Sequence, residues 1–123
     1  MLLSVIGKGS YAKVLLVRYN KDDQIYAMKV LKKKHIADLH LQEKIMTERQ
    51  VLATMNHPFL VRLYFSFQDE KKLYFILEYC PGGELYGLLQ VKNKLSEEQC
   101  KFYAAQMLLA IESLHLKKII YRE

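Results

Sequence analysis

A glycine-rich turn lies between two segments with the composition of β-strands, and this arrangement constrains the fold more than any other feature. The turn reads Gly7-Lys8-Gly9-Ser10-Tyr11-Ala12-Lys13-Val14. In a dinucleotide-binding unit, such glycines open a helix. Here residues 12–19 are rich in β-branched and apolar side chains, and a polar turn precedes a third such segment at 24–31. The sequence therefore predicts a hairpin meander whose glycine tip can close over phosphate groups with backbone N–H groups.

The remaining periodicity predicts two more strands and three helices in an α+β fold. We expect strands near 2–8, 12–19, 24–31, 60–68 and 72–79, a helix over 39–55, a short helix over 84–90, and a long helix ending near 116. Ser96-Glu97-Glu98-Gln99 is a capping box that starts the long helix. The inward face of that helix is predicted to carry Cys100, Tyr103, Ala104, Met107, Leu108, Ile111 and Leu114.

Composition excludes several classes of protein. The 123 residues suffice for one domain, and no apolar run approaches the roughly 20 residues of a membrane span. The N-terminus lacks the basic region of a signal peptide. Two cysteines form no disulfide framework, which fits a cytoplasmic protein, and no histidine or cysteine has metal-site spacing, so we expect no metal ligands.

The net charge of +6 comes largely from a run of three lysines at 32–34. We interpret this run as the solvated end of an element. The alternative is a small basic module that binds nucleic acid or an anionic lipid surface. No aromatic residues interleave with the lysines as a single-strand binder requires, so we expect no nucleic-acid partner.

Alternation along the third strand brings Ala27 and Lys29 to the same face of the sheet. Ala27 is small enough for a purine to lie against it, and Lys29, about 6–7 Å further along, can reach the phosphates of the same nucleotide. Val14 and Ile6 would complete an apolar roof. Two alternatives stay open: a strand lysine whose stem covers apolar surface, and hairpin glycines that merely supply positive φ.

Glu48 lies on the apolar stripe of the predicted helix, three residues after Ile45 and four before Leu52. A carboxylate on such a stripe is costly to bury unless a cation meets it. Lys29 needs an acidic partner that stabilises its charged ammonium group and orients it. The sequence therefore predicts an ion pair between Lys29 and Glu48.

Taken with these features, three further motifs resemble a eukaryotic protein kinase in residue type and order. They are His57-Pro58-Phe59-Leu60-Val61, Leu77-Glu78-Tyr79-Cys80-Pro81-Gly82-Gly83-Glu84-Leu85 and Ile119-Ile120-Tyr121-Arg122-Glu123. Most kinase families have histidine at the position of Tyr121, and a tyrosine there resembles the AGC group of serine/threonine kinases. An alanine at position 12, in place of a third glycine, resembles the atypical protein kinase C branch.

This resemblance implies a kinase small lobe over 1–80, a hinge at 81–83, and the start of a large lobe over 84–123, truncated at the catalytic loop. It implies nucleotide contacts from Ile6, Gly7, Gly9, Ala12, Val14, Ala27 and Leu77, the last as gatekeeper. It further implies that Lys29 binds the α- and β-phosphates, with Glu48 as its partner. The backbone carbonyl of Glu78, as acceptor, and the backbone N–H of Cys80, as donor, would read the adenine edge.

The resemblance gives two further acidic residues possible roles. Glu84 would touch the ribose or a basic substrate residue; alternatively, it is an acidic residue favoured at a helix N-terminus. Glu123 occupies the position of the family's aspartate base and is one methylene longer.

The function implied is the ATP-binding portion of a serine/threonine kinase that phosphorylates protein hydroxyls, as a monomeric domain. Mg²⁺ is expected for the intact domain, with its ligands outside this chain. We expect the 123-residue chain alone to be inactive, with the long helix exposing an apolar face that a missing lobe would cover. The alternative is a pseudokinase or scaffold that binds nucleotide or partners without catalysis.

Overall fold

A computed structural model describes residues 1–122 of the chain, which form two compact units. Unit 1 comprises Met1–Asn56 and Val61–Tyr79, and unit 2 comprises His57–Leu60 and the residues from Cys80 onwards. No helix of the described residues has both the length and the apolar character needed to cross a bilayer.

Unit 1 contains a five-stranded antiparallel sheet, as the sequence predicts. Its strands are β1 (Leu2–Lys8), β2 (Ala12–Arg18), β3 (Ile25–Lys32), β4 (Leu63–Gln68) and β5 (Lys72–Glu78). Their order in the sheet is β1-β2-β3-β5-β4. The first three strands therefore form the predicted meander. Strand β5 lies between β3 and β4, and β4 is an edge strand.

The helical part of unit 1 differs from the prediction of one helix over 39–55. Two helices are present, α1 (Lys33–Asp38) and α2 (Gln42–Thr54). His40 separates them with a φ of 53°, a left-handed conformation that interrupts helical geometry. The lysine run, interpreted as the end of an element, spans the junction where β3 ends and α1 begins.

Four buried residues from four elements of unit 1 pack together. They are Leu31 of β3, Ile36 of α1, Ile45 of α2 and Phe75 of β5, and we call them the core cluster. Leu31 and Ile45 are almost completely buried, with 0% and 1% of their surface exposed. Each helix therefore contributes one buried apolar side chain to the core cluster.

Unit 2 contains α3 (Leu85–Lys92) and α4 (Glu97–Leu116). The predicted capping box is present: the Gln99 N–H donates to the Ser96 hydroxyl, and the Ser96 N–H donates to the Gln99 side chain. Two donors that the first turn would leave unpaired are thus satisfied, which explains why the helix begins here.

The predicted inward face of α4 is wrong for most of its residues. Leu114 is buried and Tyr103 half-buried, but the other five are exposed: Cys100, Ala104, Met107, Leu108 and Ile111. The covered stripe runs instead through Gln99, Gln106, Ala110 and Ser113. The described part of unit 2 has one other helix, the eight-residue α3, which leaves most of a 20-residue helix uncovered.

Candidate functional site

One face of the sheet carries three rows of side chains across β2, β3 and β5. Cross-strand partners share a face of an antiparallel sheet. The rows are Leu16–Ala27–Leu77, Val14–Lys29–Phe75 and Ala12–Leu31–Leu73. The third row leads into the core cluster, and the first row has the buried Ala27 at its centre. Lys29 lies in the middle row, between the row of Ala27 and the row that leads into the core.

Lys29 and Glu48 form the predicted ion pair. The Nζ atom of Lys29 donates to Oε1 of Glu48 at 2.6 Å. Their side chains are 19% and 29% exposed, so both charges are partly shielded from water. Ile45, one turn earlier on α2, anchors the helix in the core cluster and aims Glu48 at the sheet. The pair fixes the lysine ammonium on this face with a charge-assisted hydrogen bond.

The glycine-rich turn connects β1 to β2 through a narrow tip. The Gly9 N–H donates to the Ala12 carbonyl at 2.8 Å, which leaves Ser10 and Tyr11 at the tip. Gly7 pairs with Val14, and a Cβ added to Gly7 would lie 3.4 Å from the Cβ of Val14. Because glycine has no Cβ, the part of the Val14 side chain beside position 7 stays uncovered.

The alternative that Gly7 and Gly9 supply positive φ is wrong. Gly83 is the one glycine with a positive φ, at 74°, in the part of the chain that the structure describes. The small size of Gly7, rather than its freedom at positive φ, is what the turn uses.

Comparison with known sequences identifies the family. The profile described as "Protein kinase domain" matches residues 1–123. The chain belongs to the protein kinase domain family. A RAC family serine/threonine-protein kinase homolog of Dictyostelium discoideum is 50% identical over 99% of this chain. The serine/threonine-protein kinase sgk-1 of Caenorhabditis elegans is 48% identical over 98% of it.

A cAMP-dependent protein kinase catalytic subunit of Dictyostelium discoideum is 45% identical over 98% of this chain. These relatives confirm the similarity to serine/threonine kinases of the AGC group. The finer similarity to the atypical protein kinase C branch stays a prediction. The chain spans between 19% and 28% of the length of these three relatives.

Other predicted nucleotide contacts of the kinase-family chain also lie in unit 1. Ile6 falls at an irregularity in the β1–β2 register and is 42% exposed. Leu77 is half-buried and packs against the core cluster. The Glu78 N–H donates to the Arg62 carbonyl at 2.9 Å. Since the prediction assigns the carbonyl of Glu78 to adenine, this bond does not conflict with it.

The remaining predicted site residues lie outside unit 1. Cys80, in unit 2, is an exposed free thiol. Glu84 is the N-cap of α3 and makes no side-chain capping hydrogen bond, so it lies at a helix N-terminus where the macrodipole favours an acidic residue, as the alternative predicts. Glu123 lies outside the described residues. Among residues 1–122, no three His, Cys, Asp or Glu side chains are placed to hold a metal ion.

Sequence reasoning missed Tyr11 and the helix α1. Tyr11 is half-buried and packs against the core cluster, although it stands at the tip of the turn. The only signal in the sequence was an aromatic residue among small and polar neighbours. Ile36, an isolated apolar residue after the lysine run, was the corresponding signal for α1.

Proposed function

We propose that this chain is the ATP-binding portion of a serine/threonine protein kinase, which transfers the γ-phosphate of ATP to protein hydroxyls. The observation that carries the proposal is the Lys29–Glu48 ion pair, in a chain of the protein kinase domain family. The division into small lobe (1–80), hinge (81–83) and start of a large lobe (84–123) belongs to the same proposal.

Lys29 is proposed to hold the α- and β-phosphates. An ammonium group that is oriented before the ligand arrives loses little freedom on binding. Glu48 provides that orientation, because it holds Nζ at 2.6 Å on a half-buried face. Backbone N–H groups of the glycine-rich turn would add donors to the same phosphates.

Adenine is proposed to lie on the row that contains Ala27. Val14, Ile6 and Leu77 offer apolar contact around this row, and Gly7 leaves the surface of Val14 clear. The backbones of Glu78 and Cys80 are proposed to read the edge of the base, with Gly9 and Ala12 shaping the turn above the phosphates. Glu84 is proposed to contact the ribose or a basic residue of the substrate.

The substrates and chemistry of the whole protein are part of this proposal, since the chain spans at most 28% of the relatives compared. Protein serine and threonine hydroxyls are the proposed acceptors, and the proposed location is the cytoplasm, which the two free thiols favour. The family implies Mg²⁺ for the intact domain. We further propose that the 123-residue chain alone does not transfer phosphate.

The second candidate is a pseudokinase or scaffold that binds nucleotide or partners without catalysis. Glu123 favours it, because the family's base is aspartate and an extra methylene displaces the carboxylate. Labelled-phosphate transfer by the full-length protein distinguishes the two. Activity that rises on Glu123→Asp supports a weakened kinase, whereas no transfer by either form supports the scaffold.

Nucleotide binding by the 123-residue chain tests the first proposal. We expect Lys29→Met to weaken binding of a fluorescent ATP analogue by roughly tenfold or more, because a hydrogen bond to a charged group is lost. Lys32→Met is the matched control: it removes the same charge from an exposed position of the same strand. Equal affinities for both variants and the wild type would overturn the proposal. Binding to DNA or anionic vesicles instead would support a basic surface module.

A further inference from the structure

Two groups of lysines that are distant in the sequence meet at one corner of unit 1. Residues 32–34 end β3 and begin α1, while Lys71 and Lys72 lie where the β4–β5 turn enters β5. Lys32 and Lys72 are direct partners across β3 and β5, and the Lys33 N–H donates to the Lys71 carbonyl at 2.9 Å. We call the five lysines of these two groups the basic corner.

The charge of the basic corner is not neutralised by side chains of residues 1–122. None of its five ammonium groups forms an ion pair or a hydrogen bond with another side chain in this part of the protein. The first turn of α1 contains no acidic residue. In the β4–β5 turn, Asp69 and Glu70 are acidic, and Asp69 already accepts hydrogen bonds from two backbone N–H groups and the Tyr74 hydroxyl. Five lysines against these two acids leave a surplus of three positive charges.

The pairing of Lys32 with Lys72 is unfavourable in the isolated chain. Residues directly opposite each other on an antiparallel pair have Cβ atoms about 5 Å apart, and like charges at such positions destabilise the sheet. An anionic partner placed over the pair would turn this repulsion into attraction to both lysines. The arrangement therefore favours a negatively charged partner for this corner.

The chemistry of the basic corner fits an extended anionic surface better than a single phosphate group. Discrete phosphate sites favour the planar fork of arginine, which forms two parallel hydrogen bonds, and the corner contains no arginine. Lysine acts as a hydrated point charge. Its ammonium groups here come from three segments and are not held by neighbouring side chains. Such a group of charges responds to the charge density of a surface rather than to the geometry of one ligand.

An exposed aromatic ring lies beside the lysines on the same face of the sheet. Tyr74 follows Lys72 by two residues on β5, so both side chains share a face. Its cross-strand partner Phe67 stacks on the Tyr74 ring with centroids 4.8 Å apart, yet is 52% exposed. Aromatic rings are favoured at the headgroup level of a bilayer. Neither an acidic peptide nor a DNA duplex offers a comparable apolar medium, so Phe67 favours a bilayer.

We propose that the basic corner, together with Phe67, is a docking surface for a lipid bilayer that contains anionic lipids. The contact is peripheral and reversible, since it depends on charge and on one aromatic ring. The inference goes beyond the proposed function and does not rest on it. No lysine of the corner is among the predicted nucleotide contacts.

Sedimentation with lipid vesicles tests the proposal on the 123-residue chain. We expect binding to vesicles of phosphatidylcholine mixed with phosphatidylserine and little binding to pure phosphatidylcholine, because only the mixed vesicles are negatively charged. Raising the ionic strength from about 0.05 M to about 0.3 M is expected to release the chain, since salt screens this attraction. The neutral vesicles also control for the exposed apolar residues of α4, whose contact with lipid requires no charge.

Charge removal inside and outside the corner locates the contact. We expect Lys34→Gln combined with Lys71→Gln to weaken binding to the mixed vesicles roughly tenfold to thirtyfold, since each lysine near an anionic surface contributes about fivefold. Both positions are exposed, so the fold is expected to persist. Lys92→Gln combined with Lys94→Gln is the matched control, because it removes the same charge from exposed positions of unit 2. Phe67→Ala is expected to weaken binding without changing the charge.

The outcomes that would overturn the proposal are distinct from those that bear on ATP. Equal binding to neutral and mixed vesicles, or equal losses in the two double variants, would overturn it. Retention by a DNA duplex or by polyglutamate, at an ionic strength at which the mixed vesicles no longer bind, would do the same. We expect the variant of Lys34 and Lys71 to bind the fluorescent ATP analogue as the wild type does. We expect Lys29→Met to bind the mixed vesicles normally, so either proposal can fail without the other.

Discussion

Asp69 organises the turn between β4 and β5 through both of its carboxylate oxygens. Oδ1 accepts the N–H groups of Lys71 and Lys72, each at 2.7 Å, and Oδ2 accepts the Tyr74 hydroxyl at 2.8 Å. The Tyr74 ring stacks on Phe67 with centroids 4.8 Å apart. The hydrogen bond from Tyr74, followed by those from the backbone, lowers the pKa of Asp69 below its ordinary value.

The lowered pKa predicts a loss of stability in acid. Because the folded pKa of Asp69 lies below the unfolded one, its contribution is complete above the unfolded pKa and disappears as the pH falls through the folded pKa. We expect urea unfolding between about pH 7 and about pH 3 to show a smaller acid-induced loss in Asp69→Asn than in the wild type. Glu70→Gln, at an exposed position of the same turn, is the control. Parallel pH profiles for Asp69→Asn and the wild type would contradict this assignment.

At the scale of single residues, the sequence predicted the partner of a charge that interrupts an apolar stripe. It did not predict an apolar contact made by a residue in a turn. Glu48 interrupts an apolar stripe, so it requires a cation, and Lys29 was available on a neighbouring strand. Tyr11 has no such conflict with its surroundings. An aromatic ring at a hairpin tip can point either way, and no periodicity fixes its direction.

Helix α2 depends on a single fully buried side chain, and this makes its docking testable. Ile45 is 1% exposed, whereas the next residue, Met46, is 59% exposed. We expect Ile45→Ala to lower the free energy of unfolding by roughly 2–4 kcal/mol, because it removes core contacts and leaves a cavity. Met46→Ala is the matched control, with an expected change of about 0.5 kcal/mol or less for an exposed position. Urea denaturation measures both, and similar losses in the two variants would show that α2 is not docked through Ile45.

Elements were predictable where local chemistry specifies them. Apolar and β-branched segments between polar turns indicated the five strands, and Ser96 with Gln99 indicated the start of α4. The break between α1 and α2 was not predictable, since the left-handed residue there is His40, not the glycine or proline that normally marks a break. The buried face of α4 failed for a different reason: its apolar stripe identifies a face that favours burial, but not whether the chain covers that face.

At the scale of the whole molecule, the uncovered side of α4 is the feature with the largest consequence. Met107, Leu108 and Ile111 are 52%, 69% and 39% exposed. Ile111 follows Met107 by four residues and Leu108 by three, so the three side chains share one side of the helix and their exposed surfaces add up. Exposed apolar patches of more than a few hundred Å² mark interaction sites or cause aggregation in monomeric proteins.

We therefore expect the 123-residue chain alone to bind a hydrophobic dye such as anilinonaphthalene sulfonate in its native state, and to associate as its concentration rises. Replacing Leu108 and Ile111 by lysine is expected to reduce both effects, because the two positions are neighbours on the exposed side of the helix. Glu112→Lys introduces a lysine on the same helix without removing an apolar group, and it is expected to leave dye binding unchanged. Dye fluorescence and light scattering measure the two effects. A wild-type chain that binds no dye, stays monomeric and unfolds cooperatively would mean that the apolar side of α4 is covered after all.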